Sequence, residues 1–218
     1  MKQSHFTLIA LVLIAGGFIL AAIFYKAEQG EQASQQVARH SDTLIRDHSV
    51  RVGNPQAKVT IVEFMDPACE TCAQFHPLVK ELLERQDGKV NLVLRYAPLH
   101  PGSDQMVAIL EAAKQQGKFW PVLEMMFETQ RQWTVNHRAQ PETFWNLLNQ
   151  RPTGLDMQKL AQDMNNQTVI DAIQQDINDG QKLGANKTPT FFVNGKPLPS
   201  FGYEQLAGLV ATEVDAAY

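Results

Sequence analysis

A chain of 218 residues, 44% hydrophobic and 19% charged, carries enough apolar material for a sizeable core, and its formal net charge of −4 is modest. No basic patch interleaved with aromatic residues points to nucleic acid, and no acidic run points to a binding tail. The sequence contains no internal repeat and no extended low-complexity segment.

The first element is an apolar block from Phe6 to Tyr25 without a charged residue, long enough to span a bilayer. A secretory signal has a shorter apolar stretch and a small-x-small cleavage site, which Leu20-Ala21-Ala22 fits poorly. Residues 1–25 therefore read as an uncleaved signal anchor, a single transmembrane helix. Lys2 precedes the block while Lys26, Glu28 and Glu31 follow it, so charge places the N-terminus inside by a small margin. Residues 26–49 are polar, rich in Gln, Glu and Ser, and read as a tether with some helix. Residues 50–218 are of a length for one globular domain.

Within that domain, Val50 to Val52 forms a short edge strand before the turn Gly53-Asn54-Pro55. Val59 to Phe64 is apolar on both faces and hence central, with Glu63 the exception. After Met65-Asp66-Pro67-Ala68 comes helical spacing from Ala73 to Gln86, and Val90 to Tyr96 is the next strand, giving a parallel strand-helix-strand unit. Ser103 to Gln116 is a helix with Ser103 as cap and Gly117 as stop. Phe119 to Thr129, Pro141 to Asn149, Asp156 to Asn165 and Thr168 to Leu183 are further helices, broken at Asn136-His137, Arg151-Pro152 and Asn166-Gln167. Thr190 to Val193, Asn194-Gly195 and Lys196 to Leu198 make a hairpin, and Tyr203 to Ala217 an amphipathic helix. The fold class is α/β: βαβ, a helical insertion at about 103–185, then ββα.

The two cysteines of the chain, Cys69 and Cys72, sit where the central strand hands over to its helix. Free N–H groups and partial positive charge at a helix N-terminus favour a thiolate, so Cys69 reads as the nucleophile. Cys72, one turn on, can attack a mixed disulfide formed at Cys69 and release the partner. As a structural staple the pair is poor, because closing so short a loop removes little unfolded-chain entropy. An anchored, exported domain would place this dithiol in an oxidising compartment.

The element order, the dithiol after the first main strand, Gln116-Gly117-Lys118-Phe119-Trp120 and Thr188-Pro189 before the hairpin resemble the thioredoxin superfamily in its DsbA-like branch. The resemblance covers about Val50 to Tyr218 and implies a thioredoxin fold with an inserted helical domain. It implies a cis bond before Pro189 and a Thr188 backbone that pairs with an extended client. It also places in Glu63 a buried acid beneath the dithiol; burial raises its pKa, so it can accept and return the Cys72 proton. Glu70-Thr71 departs from the Pro-His pair of strongly oxidising relatives, and the charge of Glu70 is expected to lift the Cys69 pKa.

His76 shares a helical face with the dithiol, but two thiols and one imidazole fall short of a closed zinc site, and Ala73 rules out haem attachment. No metal and no cofactor is expected. His100 reads as a locally packed loop residue that could border the groove. Phe119, Trp120, Trp133, Phe144 and Trp145 read as core before groove lining. The leading expectation is a membrane-anchored thiol:disulfide oxidoreductase at the inner membrane, facing the periplasm or extracytoplasmic side. It would exchange disulfides with cysteines of exported proteins, as an oxidase fed by a DsbB-like membrane partner. The alternatives are a reductase or isomerase with a membrane electron donor, or a tethered metal-binding or chaperone module.

Overall fold

The computed structural model describes residues 2–218, of which residues 2–10 and 12 are described by backbone alone. Helix α1 (Lys2–Arg39) and a 3-10 turn (Ser41–Thr43) lead into β1 (Val50–Gly53), β2 (Val59–Met65), α2 (Glu70–Arg85) and β3 (Val90–Tyr96). The insertion follows as α3 (Ser103–Gln115), α4 (Phe119–Trp133), β4 (Thr134–Val135), β5 (Arg138–Ala139), α5 (Pro141–Gln150), α6 (Met157–Asp163) and α7 (Gln167–Leu183). Strands β6 (Thr190–Val193) and β7 (Lys196–Pro197) and helix α8 (Tyr203–Ala217) complete the chain.

The strands order as β1-β3-β2-β6-β7, with β2 parallel to β3 and the other neighbours antiparallel. Strand β2 lies at the centre, buried on both faces, which is why it reads as an unbroken apolar run. Successive side chains alternate across it. Val59, Ile61 and Met65 enter the main core with Phe75 of α2, Leu206 of α8 and the insertion, whereas Val62 and Phe64 join Val37, Leu44, Leu183 and Phe192 on the other face. The turn Asn194-Gly195 has positive φ at both residues, the geometry a tight two-residue hairpin requires.

Four local expectations change. Helix α2 begins at Glu70 rather than Ala73, which makes extended Cys69 its N-cap. Ser103 is not the cap of α3 but its first helical residue; the cap is Gly102 at φ 82, where a Cβ would stand 2.9 Å from the Ala139 carbonyl oxygen. Asn136-His137 does more than break helices: both residues have positive φ and form the turn between β4 and β5.

The expected tether over 26–49 is also more ordered than its composition suggests. Helix α1 runs unbroken through Arg39, and Gln36 Nε2 donates to the Lys182 carbonyl at 2.9 Å. Val37, Thr43 and Leu44 are buried, filling the sheet face that α7 leaves open. A few compact residues suffice there because the rest of that face is already covered. Among the described residues no helix is long and apolar enough to cross a membrane. The expected span over 6–25 begins in side chains outside the description; its later members, Phe18, Ile19 and Phe24 among them, project into solvent.

Candidate active site

Cys69 and Cys72 are free thiols. Cys72, in the first turn of α2, is fully buried, and Cys69 keeps 6% exposure. The Cys69 thiol donates to the Thr188 carbonyl oxygen at 3.3 Å, across from the loop where the Thr188-Pro189 bond is cis, as the resemblance implied. The two sulfurs titrate apart. Cys69 is lowered to about 5, first by the hydrogen bond from Cys72, then, against the opposing cost of burial, by the Thr188 side chain and the backbone at Cys72 and Thr71. Cys72 is raised well above an ordinary thiol by burial first, then by its bond to Cys69 and the nearby charges of Glu63 and Cys69.

Glu63 shares with Ile61 and Met65 the sheet face beneath α2 and is buried. Burial, then the charge of Cys69, pushes its pKa up to about 8. It does not pair with Lys58, whose ammonium donates to the Ala217 carbonyl at 2.9 Å. Glu70 is exposed and lies 3.6 Å from His137 Nδ1, and the Cys69 thiol beside it is lowered on balance, not raised.

Sequence reasoning missed Asp66. Wholly buried at the end of β2, its Oδ1 accepts from the Ala68 N–H at 2.8 Å and from the Ser103 hydroxyl, and its Oδ2 from the Leu99 N–H at 2.8 Å and the His100 N–H at 3.0 Å. His100 Nδ1 is 2.7 Å from the same Oδ2, and the Asp66 carbonyl accepts from Cys69 N–H at 3.0 Å. Gln130 of α4, also missed, donates from Nε2 to the carbonyls of Pro67 at 2.8 Å and Cys69 at 3.0 Å. The loop from Asp66 to Cys69 is thereby fixed by β2 and by the insertion. An acid in a short apolar connection was the available signal for Asp66; nothing local marked Gln130.

Cys69 opens onto a cavity of about 340 Å³ that Glu70, His100, His137, Lys187 and Thr188 also line. His100 thus both packs locally and borders the groove. His76 is not brought to the dithiol cavity; half-buried against Phe127, it is held below an ordinary histidine by burial and then by Lys80. Phe119, Trp133 and Phe144 are core, and Trp145 lines a separate cavity with Ile109 and Met164. Among the described residues no cluster of three or more His, Cys, Asp or Glu could hold a metal ion.

The thioredoxin family profile matches residues 46–211. The chain belongs to the thioredoxin family. A thioredoxin-like oxidoreductase from Silicibacter pomeroyi DSS-3 superposes with a TM-score of 0.68 at 30% identity, covering 81% of this chain and 98% of that one. BdbD from Bacillus subtilis, in its oxidised form, gives 0.66 at 24% identity over 77% of this chain and 94% of its own. A Na(+)/H(+) antiporter NhaA of Herminiimonas arsenicoxydans is 30% identical over 150 residues, 67% of this chain. The chain spans about a fifth of the length of the curated relatives it matches, 22% in that case.

Proposed function

We propose that this thioredoxin-family protein oxidises cysteines of exported proteins while anchored to the inner membrane by residues 6–25, its domain on the periplasmic or extracytoplasmic side. Cys69 is the exchanging sulfur, Cys72 the resolving sulfur and Glu63 the proton carrier; Thr188 and Pro189 receive the client backbone. The observation that carries the direction is the opposite displacement of the two thiols, Cys69 down to about 5 and Cys72 well up. A stabilised thiolate favours the reduced protein, which makes its disulfide the better oxidant.

In the forward reaction a client thiolate attacks Cys69 in the Cys69–Cys72 disulfide. The S–S bond breaks, and Cys72 leaves with the electron pair and takes a proton from Glu63, whose raised pKa keeps it protonated at neutral pH. A second client thiolate attacks the mixed disulfide, and Cys69 departs as a thiolate. Its low pKa makes it the better leaving group. A membrane partner resembling DsbB then accepts the two electrons; a reductase or isomerase would need an electron donor in its place.

Support for the anchor is the run of exposed Leu, Ile and Phe side chains from Leu11 to Phe24, more apolar surface than an isolated helix keeps in water. Three measurements test the reading. Insulin reduction requires Cys69 and is expected to vanish in Cys69→Ser; undiminished activity removes it as nucleophile. A Cys72→Ser variant is expected to hold clients on Cys69 as mixed disulfides. Alkylation trapping in cells is expected to find the motif oxidised, and a fully reduced steady state reverses the direction.

A further inference from the structure

The nucleophile and His100 sit on two different loops, and the Asp66 carboxylate is bonded to both. Because donors from Ala68, Leu99, His100 and Ser103 converge on it, this group serves as acceptor throughout, so the hydrogen of the 2.7 Å contact belongs to His100 Nδ1. The ring is therefore fixed in orientation, with Nε2 making no hydrogen bond to a described residue. Its side chain keeps 23% exposure and lines the cavity onto which Cys69 opens.

We propose that His100, oriented by Asp66, is a positioning residue that stabilises the anionic sulfur of Cys69 and stores a proton when the disulfide is reduced. The proposal rests on the redox reading above. Around the imidazole stand Asp66 from the end of β2, Cys69 and Glu70 from the start of α2, His137 from the β4–β5 turn with its ring 6.2 Å away, and Lys187 from the loop before β6. The Asp66 hydrogen bond raises the His100 pKa, burial opposes it, and the charges of Asp66, Cys69 and Glu70 add to the rise. Among the described residues lining the cavity, Lys187 is the one lysine or arginine.

The balance is simple. Two client thiols lose two electrons and two protons; the Cys69–Cys72 bond breaks and a client disulfide forms. One proton ends on Cys72. Cys69 ends as a thiolate and takes none, so the second proton goes to His100 where the imidazole is neutral and to water where it is already charged. Coupling of this kind is reciprocal: if an imidazolium favours the thiolate, the thiolate favours the imidazolium to the same degree.

The test is the His100 ring C–H titration followed by NMR in the disulfide and dithiol forms of the intact protein. Its midpoint is expected to drop by about half a unit or more on oxidation, where the sulfur charge is lost; superimposable curves overturn the proposal. In His100→Gln the thiolate absorbance of Cys69 is expected to rise by about one pH unit in midpoint. Its exchange equilibrium with glutathione should then shift about tenfold toward the disulfide, about 30 mV. His100→Lys should restore part of the charge and move both values back. An unmoved midpoint in a folded His100→Gln protein sinks the idea. Insulin reduction by the wild type reports on the redox reading by itself: an inert wild type overturns both proposals, an active one with unmoved titrations overturns this one alone.

Discussion

The adjacent central strands β2 and β3 bury Glu63 and Arg95, and the two are treated in opposite ways. In β3, Arg95 is fully buried and donates to Asp176 Oδ1 at 2.7 Å, Asp179 Oδ2 at 2.8 Å and the carbonyls of Thr43 at 2.6 Å and Leu44 at 2.8 Å. Arg46 and His48 close the ring from outside, at 2.8 Å to Asp179 and 2.6 Å to Asp176. In β2, Glu63 has no such partners among the described residues, and burial displaces its proton equilibrium instead. A buried charge with every site answered holds elements together; one left unanswered is poised to change protonation, which suits a residue beside reacting sulfurs.

The comparison breaks first at Arg95. Arg95→Met leaves Asp176 and Asp179 buried without their main donor and is expected to cost about 3–5 kcal/mol in urea denaturation. A loss below about 1 kcal/mol would mean the ring is not a structural clamp. Glu63→Gln tests the other half. The folded Glu63 sits above its unfolded value of 4.5, at about 8, so the native state holds a proton the unfolded chain has released between those limits. Wild-type stability in the dithiol form should therefore fall relative to Glu63→Gln as pH rises through that window, by at most about 1.4 kcal/mol per unit, and exchange at Cys72 should slow about 100-fold in the variant. Parallel stability curves would show that Glu63 carries no displaced proton.

A third measurement sharpens the site itself. Thiolate absorbance should appear with a midpoint near 5, and Cys72→Ala, which removes the donor that lowers Cys69 most, should move it up by about one unit. The depressed Cys69 adds stability to the dithiol form above its unfolded pKa, and that contribution is lost as pH falls through 5. The smallest effect belongs to the surface. Lys80 and Glu124 are about half exposed at 2.6 Å, so Lys80→Ala should change stability by less than about 0.5 kcal/mol.

Much of this was legible from periodicity. Val90 to Tyr96, the Thr190 to Val193 hairpin strand and the Tyr203 to Ala217 helix coincide with β3, β6 and α8 because alternation, a turn pair and helical spacing are local signals. The dithiol was legible from its place where the central strand hands over to a helix, and its facing Thr188-Pro189 loop through resemblance. What escaped the reading is held by partners far apart in the chain. Arg95 meets Asp176 and Asp179 across more than 80 residues, and its presence in an apolar strand is the same kind of anomaly that singled out Glu63. Asp66 and Gln130 escaped for the same reason. The ordering of residues 36–49 was hidden by polar composition, since Val37 and Leu44 matter only once a sheet face is there to receive them.

Helix α1 has one more consequence. At about 1.5 Å per residue, the 14 residues from Lys26 to Arg39 raise the fold some 20 Å beyond the apolar block, and the helix end is pinned to the domain through Gln36 and Val37. A rod pinned to the domain in this way works as a mast, not a leash. If its lower part stands in the bilayer, Cys69 is carried in a thin shell at fixed height and fixed tilt, and a thiol must come to that altitude to meet it.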